Sequence, residues 1–346
     1  MEPTPKRQRI LSGVQPSGKL HLGNYFGAIK QHIELQEQND CFYFIANYHA
    51  MTSVRDAADK LSAGQNRRIR AADMLRQNTF EAALDYLALG LDPNKAVFYR
   101  QSDVPEVTEL SWILATVTNM GLLERAVSYK DKVDKGIEAS VGLFTYPILM
   151  AADILIVRSN VVPVGKDQVQ HIEMTQDMAG KFNRAFAEVF PIPNFRLDKE
   201  SKVPGTDGQK MSKSYGNTIE IFAEGKPLQK TVMSIKTDST PLGSPLEPGT
   251  CNVFALYSLF ASDAEKADLA TKYRSGAIGY GEAKKLLLDK IDAHFGPARE
   301  RRKQLAQNAS VVEDMMRKGA QRARAEAHQT MTLVREAVGM KPRSVG

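Results

Sequence analysis

Apolar residues in the first two-thirds of the chain alternate between short β-branched or aromatic runs and stretches with helical spacing, the pattern of a parallel sheet flanked by helices. Arg9 to Val14 reads as a first strand running into glycine, after which Leu22, Tyr25, Phe26, Ile29 and Ile33 recur at helical spacing. Cys41 to Ala46 and Ala96 to Arg100 read as the second and third strands, with a helical region from Ala57 to Leu89 between them. Val161 to Val164 is the fourth strand and leads into a helix over about Asp167 to Phe186. The segment from Pro105 to Asn160 is too long for a simple crossover and reads as a helical insertion. Pro and Gly crowd between Phe190 and Asn217, marking a boundary and a mobile loop. Beyond Thr218 strand signals fade. Helices are expected over Glu220 to Lys236, Asn252 to Ala261 and Arg299 to Val338, with a linker over Ser239 to Gly249. The last helix, or pair of helices, puts Leu305, Ala309, Val312, Met316, Ala320, Ala327, Met331 and Val334 on its apolar face. The fold class is therefore α/β: a parallel-sheet domain over residues 1–218 with a helical insertion at about 105–160, then a mainly α-helical domain over 219–346.

Composition narrows the class. With 346 residues, 42% hydrophobic and 25% charged, the chain is an ordinary globular protein and not a disordered or collagen-like one. The longest apolar run, Ile148 to Val157, is short for a membrane span and carries Asp153 at its middle, so no membrane association is expected. The basic N-terminus (Lys6, Arg7, Arg9) is followed only by Ile10 and Leu11 before Ser12-Gly13, so no secretory h-region is expected. Two cysteines, Cys41 and Cys251, make neither a disulfide framework nor a Cys-x-x-Cys site, which suits a reducing cytoplasm. The histidines show no metal-binding spacing, and no transition metal is expected. Charge is uneven: from Phe295 onward eleven Lys/Arg face five acids, which accounts for the whole net charge of +6. That asymmetry suits either a polyanion contact or a solvated helix face.

Several constellations carry chemistry. Lys210-Met211-Ser212-Lys213-Ser214 puts two lysines three apart among hydroxyls and glycines, a cationic loop suited to a polyphosphate whose charge grows as pyrophosphate departs. Gly13-Val14-Gln15-Pro16-Ser17-Gly18, then Leu20-His21-Leu22-Gly23-Asn24-Tyr25, lies where the first strand ends and a helix begins, a natural anion site. Gly23 would admit a close ligand, and His21 and Asn24 can donate to phosphate oxygens. Tyr146, Met150 and Asp153 share one helix face at i, i+4 and i+7. A carboxylate in an apolar helix is costly unless it is partnered, and one acceptor in a greasy wall fits an indole N–H. Gly165-Lys166-Asp167-Gln168 ends the fourth strand at the carboxyl edge, where such sheets bind ligands. There Asp167 could accept from a ribose or cap the next helix.

The order of these strings resembles the two signatures of class I aminoacyl-tRNA synthetases. The further strings Tyr146-Pro147, Leu149-Met150-Ala151-Ala152-Asp153 and Val162-Pro163-Val164-Gly165-Lys166-Asp167-Gln168 are similar to those of bacterial-type tryptophanyl-tRNA synthetases. The first signature often ends in His across the class; here Asn24 stands there. The resemblance implies a Rossmann-type catalytic domain that activates L-tryptophan with ATP and Mg2+ and transfers it to tRNA(Trp), in a cytoplasmic homodimer joined through the insertion. Lys210, Lys213, His21 and Asn24 would be catalytic. Gln15, Pro16, Ser17, Gly23, Asn24, Gly165, Lys166, Asp167, Val203, Lys210, Met211, Ser212, Lys213 and Ser214 would bind nucleotide. Asp153, Tyr146, Met150, Gln168, Gln15 and Gly13 would bind tryptophan, with Gln168 at its amino group and Asp153 on the ring N–H. Lys132 matches a pyrophosphate-binding lysine, His49 a histidine near the active site, and Ser128 replaces a glutamine common in the family. The basic C-terminal helices, with the Arg299 to Lys303 cluster, would face tRNA. A tyrosine-activating enzyme of the same class and a tRNA-binding paralogue without aminoacylation remain as alternatives. The intact lysine and histidine motifs speak against the second.

Overall fold

The computed structural model describes residues 7–63, 69–127, 129–130, 140–197 and 203–341. Five strands, β1 (Arg9–Val14), β2 (Asp40–Ile45), β3 (Val97–Arg100), β4 (Val161–Val164) and β5 (Asn194–Leu197), form one sheet in the order β3-β2-β1-β4-β5, parallel throughout. The order reverses between β1 and β4, which opens a crevice beyond their carboxyl ends. After β1 the chain enters α1 (Leu22–Asn24), passes through a π-helical turn (Tyr25–Ile29) and continues as α2 (Lys30–Leu35). Further helices of the first half are α3 (Asn47–Ala63), α4 (Ala71–Leu89), α5 (Glu106–Val117), α6 (Met120–Glu124), α7 (Val141–Ile156) and α8 (Val169–Ala185). The second half supplies α9 (Gly225–Met233), α10 (Asn252–Tyr257), α11 (Asp263–Arg274), α12 (Tyr280–Gln307) and α13 (Ala309–Ala337).

Period-two alternation splits the strands' side chains between the two faces. Ile10, Cys41, Tyr43, Ile45 and Phe98 pack into one core with α4 and α12, while Leu11, Phe42, Phe44, Val97 and Tyr99 pack into another with α5, α7 and α8. Helix α13 belongs to both. Its Val312 and Met316 join the first core and its Met331 and Val334 the second, so it crosses the sheet edge at β3. Gly319 makes the crossing: a Cβ there would lie 1.8 Å from the Phe98 carbonyl oxygen. Each of these buried side chains contributes about 1.5–3 kcal/mol. The hydrophobic cores are therefore continuous across residue 218.

Most of the C-terminal arginines, those of the Arg299 to Lys303 cluster expected to face tRNA among them, also bond to groups of the fold itself. Arg299 is buried, donating to the Ile221 carbonyl and to Asp292. Arg301 donates to the Ala88 carbonyl, Arg302 pairs with Asp85 and Glu81, and Lys303 pairs with Glu224 and Glu300. On α13, Arg324 pairs with Glu106 and Arg335 with Glu109. Acids on α4 and α5 thus meet bases on α12 and α13.

Three further differences have local causes. Strand β5 falls within the stretch expected to be a loop; its four side chains are exposed, so it carries no apolar alternation, and backbone pairing to β4 makes it. Helix α11 buries only Leu269 and Tyr273, too few to print a stripe. Helix α3 begins at Asn47, ten residues before the expected start.

Candidate active site

A cleft of about 550 Å³ opens at the carboxyl ends of β1 and β4. Gly13, Gln15, Ser17, Gly23, Asn24, Tyr146, Met150, Asp153, Gly165, Asp167 and Gln168 all line it. The i, i+4, i+7 face of α7 is thus one wall, where the Tyr146 hydroxyl lies 3.7 Å from the Met150 sulfur.

At the cleft floor the Asp153 carboxylate is 3% exposed. His49 Nε2 lies 2.9 Å from Oδ2, and Gln101 Nε2 donates to both oxygens at 2.9 and 2.8 Å. Burial holds the Asp153 pKa above the ordinary carboxylate value, and the bonds from His49 and Gln101 offset only part of that rise. These contacts leave lone-pair capacity on the carboxylate for a further donor. The Tyr146 ring stands edge-on to His49 and to His171, at 4.8 and 5.3 Å between centroids. Gln101 has no counterpart among the residues expected from sequence; no local pattern marks a glutamine that acts 52 positions away.

The mouth is built differently. Ile219 to Ile221 runs antiparallel beside Leu20 to Leu22, with Leu22 N donating to the Ile219 carbonyl at 3.0 Å and Ile221 N to the Leu20 carbonyl at 3.1 Å. This pairing brings the two distant signatures together, and Lys213 Nζ donates to the Ser17 carbonyl at 3.0 Å and to Ser17 Oγ at 3.3 Å. The protein around it lowers the Lys213 pKa, against the opposing pull of Asp85 and Glu220, although its side chain still meets solvent. His21 is buried, and that burial, aided by the positive charge of Lys213, pushes its pKa down to about 4. It is therefore neutral near pH 7, and its buried Nδ1 has no partner among the described residues. Asn24 caps the turn by accepting from His21 N at 3.1 Å, which leaves its amide N–H groups for a ligand. A Cβ on Gly23 would lie 3.0 Å from the His21 ring, so the glycine makes room for the histidine itself.

Side-chain hydrogen bonds knit the signature loop together. Asn217, 2% exposed, organises it: its Oδ1 accepts from Ser212 N at 2.8 Å, and its Nδ2 donates to Asp207 Oδ1 at 2.8 Å and to the Lys210 carbonyl at 3.1 Å. A Cβ on Gly205 would fall 2.3 Å from that amide, so the glycine exists for Asn217. The Asn217 bond also holds the Asp207 carboxyl below its ordinary pKa.

Some expected site residues stand elsewhere. Pro16 is buried beneath the turn and does not line the cleft. Val203 and Met211 bury their side chains in the core and are joined by the bond from Met211 N to the Val203 carbonyl, so any nucleotide contact there is a backbone one, as expected for Val203. Ser212 and Ser214 lie hydroxyl to hydroxyl at 2.8 Å. Lys166 is exposed and outside the cleft lining. Lys210 is exposed, and its ammonium has no partner among the described residues. Asp167 does not cap α8; its carboxylate accepts from Gln168 Nε2 at 3.2 Å within the cleft. Ser128 and Lys132 lie outside the described residues.

Comparison with known proteins bears on this geometry. A model of the family of class I tRNA synthetases for W and Y matches residues 4–296. The tryptophan–tRNA ligase of Rhodopirellula baltica is 51% identical over 334 residues, covering 96% of this chain and 100% of that one. The tryptophan–tRNA ligase of Fusobacterium nucleatum is 50% identical, with 96% and 98% covered. Among solved structures, tryptophanyl-tRNA synthetase from Campylobacter jejuni complexed with ADP and tryptophan superposes with a TM-score of 0.87 at 48% identity, covering 96% of this chain and 99% of that one.

Proposed function

The chain belongs to the class I tRNA synthetases for tryptophan and tyrosine, and from that premise we propose a division of labour within its cleft. The enzyme is a tryptophan–tRNA ligase: it activates L-tryptophan with ATP to tryptophanyl-adenylate and transfers the aminoacyl group to tRNA. In our reading the indole lies between Tyr146, Met150 and His49, its N–H donating to Asp153. Gln168 and Gln15 hold the amino acid's polar end, and Asp167 accepts from the nucleotide ribose. The triphosphate crosses the Gln15 to Gly18 turn and the start of α1. Magnesium enters with the nucleotide, its oxygen ligands mostly phosphate.

The observation that carries this arrangement is the reach of Lys213 across to Ser17, above a buried carboxylate in an apolar recess. A tryptophan carboxylate oxygen attacks the α-phosphorus, and the bond to the bridging oxygen breaks as pyrophosphate leaves with the electron pair. No side-chain nucleophile is needed. Lys213 and Lys210 meet the charge that accumulates on the leaving group, and neutral His21 together with Asn24 supplies oriented N–H dipoles. A ribose hydroxyl at the tRNA 3′ end then attacks the adenylate carbonyl and AMP departs.

We assign the dimer contact to the insertion. Trp112 on α5, Met120 on α6 and Val141 on α7 are 72%, 62% and 78% exposed, large apolar side chains of the kind that a second subunit covers. Contact with tRNA falls to the basic C-terminal helices, where Lys318 and Arg317, the latter paired with Asp314 of its own helix, stand exposed on α13. Amino-acid-dependent ATP–pyrophosphate exchange tests the central reading: tryptophan should support it, and loss of tryptophan affinity in Asp153→Ala should follow. Unchanged affinity in that variant overturns the assignment of the recess.

A further inference from the structure

Gln101 lies behind the recess, 1% exposed, where β3 gives way to a single 3-10 turn (Gln101–Asp103). Its side-chain oxygen accepts from the backbone N–H groups of Tyr48 at 2.9 Å and His49 at 3.3 Å, in the first turn of α3. With the oxygen so committed, the amide can turn only its NH2 toward Asp153, and it donates to both carboxylate oxygens. The imidazole of His49 is engaged with the same carboxylate at Oδ2. Among the described residues no lysine or arginine pairs with Asp153; the titratable groups around it are His49 on α3, Tyr99 on β3 and Tyr146 on α7, with His171 of α8 against the Tyr146 ring. Amide and imidazole donors thus do the work that an ion pair does for most buried acids.

We propose that Gln101 is a positioning and specificity-determining residue: its two N–H bonds favour the charged form of Asp153 and fix the plane of its carboxylate, so that the recess presents an acceptor to an indole N–H. The inference rests on the assignment of Asp153 to the tryptophan ring. A carboxyl stripped of these donors in an apolar wall takes up a proton and becomes a hydroxyl donor, which meets an N–H poorly. Removing one hydrogen bond to a buried charge corresponds to a change of about 10- to 100-fold in affinity.

The test compares Gln101→Met, which removes the donors at similar volume, Gln101→Glu, which keeps the shape, and Asp153→Asn, by tryptophan-dependent ATP–pyrophosphate exchange across pH. Both Gln101 variants should raise the KM for tryptophan by about tenfold or more with kcat within about threefold. The pH below which KM climbs should also move upward relative to wild type, a shift that mere loosening of the fold does not produce. Wild-type KM and pH profile in both Gln101 variants, with a raised KM in Asp153→Asn, overturn the role of Gln101 alone. A wild-type KM in Asp153→Asn overturns the assignment of the recess and the proposal together.

Discussion

The floor and the mouth of the cleft meet their ligands in opposite ways. At the floor Asp153 is buried, and it is held from two other elements by His49 and Gln101 before any ligand arrives. At the mouth the lysines are exposed: Lys213 rests on Ser17 and Lys210 extends unpaired among the described residues. A recess that must tell one amino acid from twenty gains from groups fixed in place. A rim that must neutralise charge only while pyrophosphate leaves gains from cations that stay exposed and are held by no carboxylate contact among the described residues.

Lys213→Ala gives the largest effect on this comparison. Adenylate formation should slow by about 10²- to 10³-fold, with the KM for tryptophan nearly unchanged. A large rise in that KM with unaltered turnover in exchange assays breaks the division between floor and mouth. Asp153→Ala is its mirror: tryptophan affinity should fall by about 10- to 100-fold and the preference over phenylalanine should narrow, with a smaller loss of kcat. Equal loss of both parameters shows that the floor also shapes the transition state.

Asn217→Ala sharpens the account of the mouth. Three part-buried hydrogen bonds vanish, that to Asp207 among them, so unfolding should become easier by about 2–3 kcal/mol in denaturant titration. Proteolysis between residues 203 and 217 should also accelerate. A loop that stays resistant to protease in this variant has another source of order.

The smallest effect is a pH slope. His21 has a folded pKa of about 4, below the ordinary 6.5, so the unfolded chain binds its proton more readily and stability falls as pH drops through that window. Between about pH 7 and 5 the share of His21 is about 1–2 kcal/mol. Buried His32 is depressed in the same way, so the difference between wild type and His21→Asn isolates the rim histidine. Identical slopes in thermal melts show that His21 is not held neutral.

Legibility in the sequence followed the range of the forces involved. Strands β1 to β4 announce themselves because burial on both sheet faces demands β-branched and aromatic runs. The Tyr146, Met150 and Asp153 face is likewise local, a matter of helical spacing. Helix α11 was missed on its apolar pattern, yet its capping box is plain in Ser262-Asp263-Ala264-Glu265, where Ser262 Oγ accepts from Glu265 N and Glu265 accepts from Ser262 N. Gln101 and Asn217 were not legible at all. Each works by satisfying groups that only tertiary folding brings near, and an amide side chain in a turn looks the same whether or not it does so. The internal bonds of the arginines of α12 and α13 were hidden for a related reason: charge is visible in sequence, but its partners on α4 and α5 lie more than two hundred residues away.

The crossing of α13 over β3 at Gly319 has a consequence for synthesis. The outer edge of β3 stays open as a template for stray strand pairing until the last segment of the chain has left the ribosome. A nascent or truncated chain ending before that segment would therefore be sticky along its own sheet, and a bulkier residue at the crossing would prolong the same hazard in the finished one.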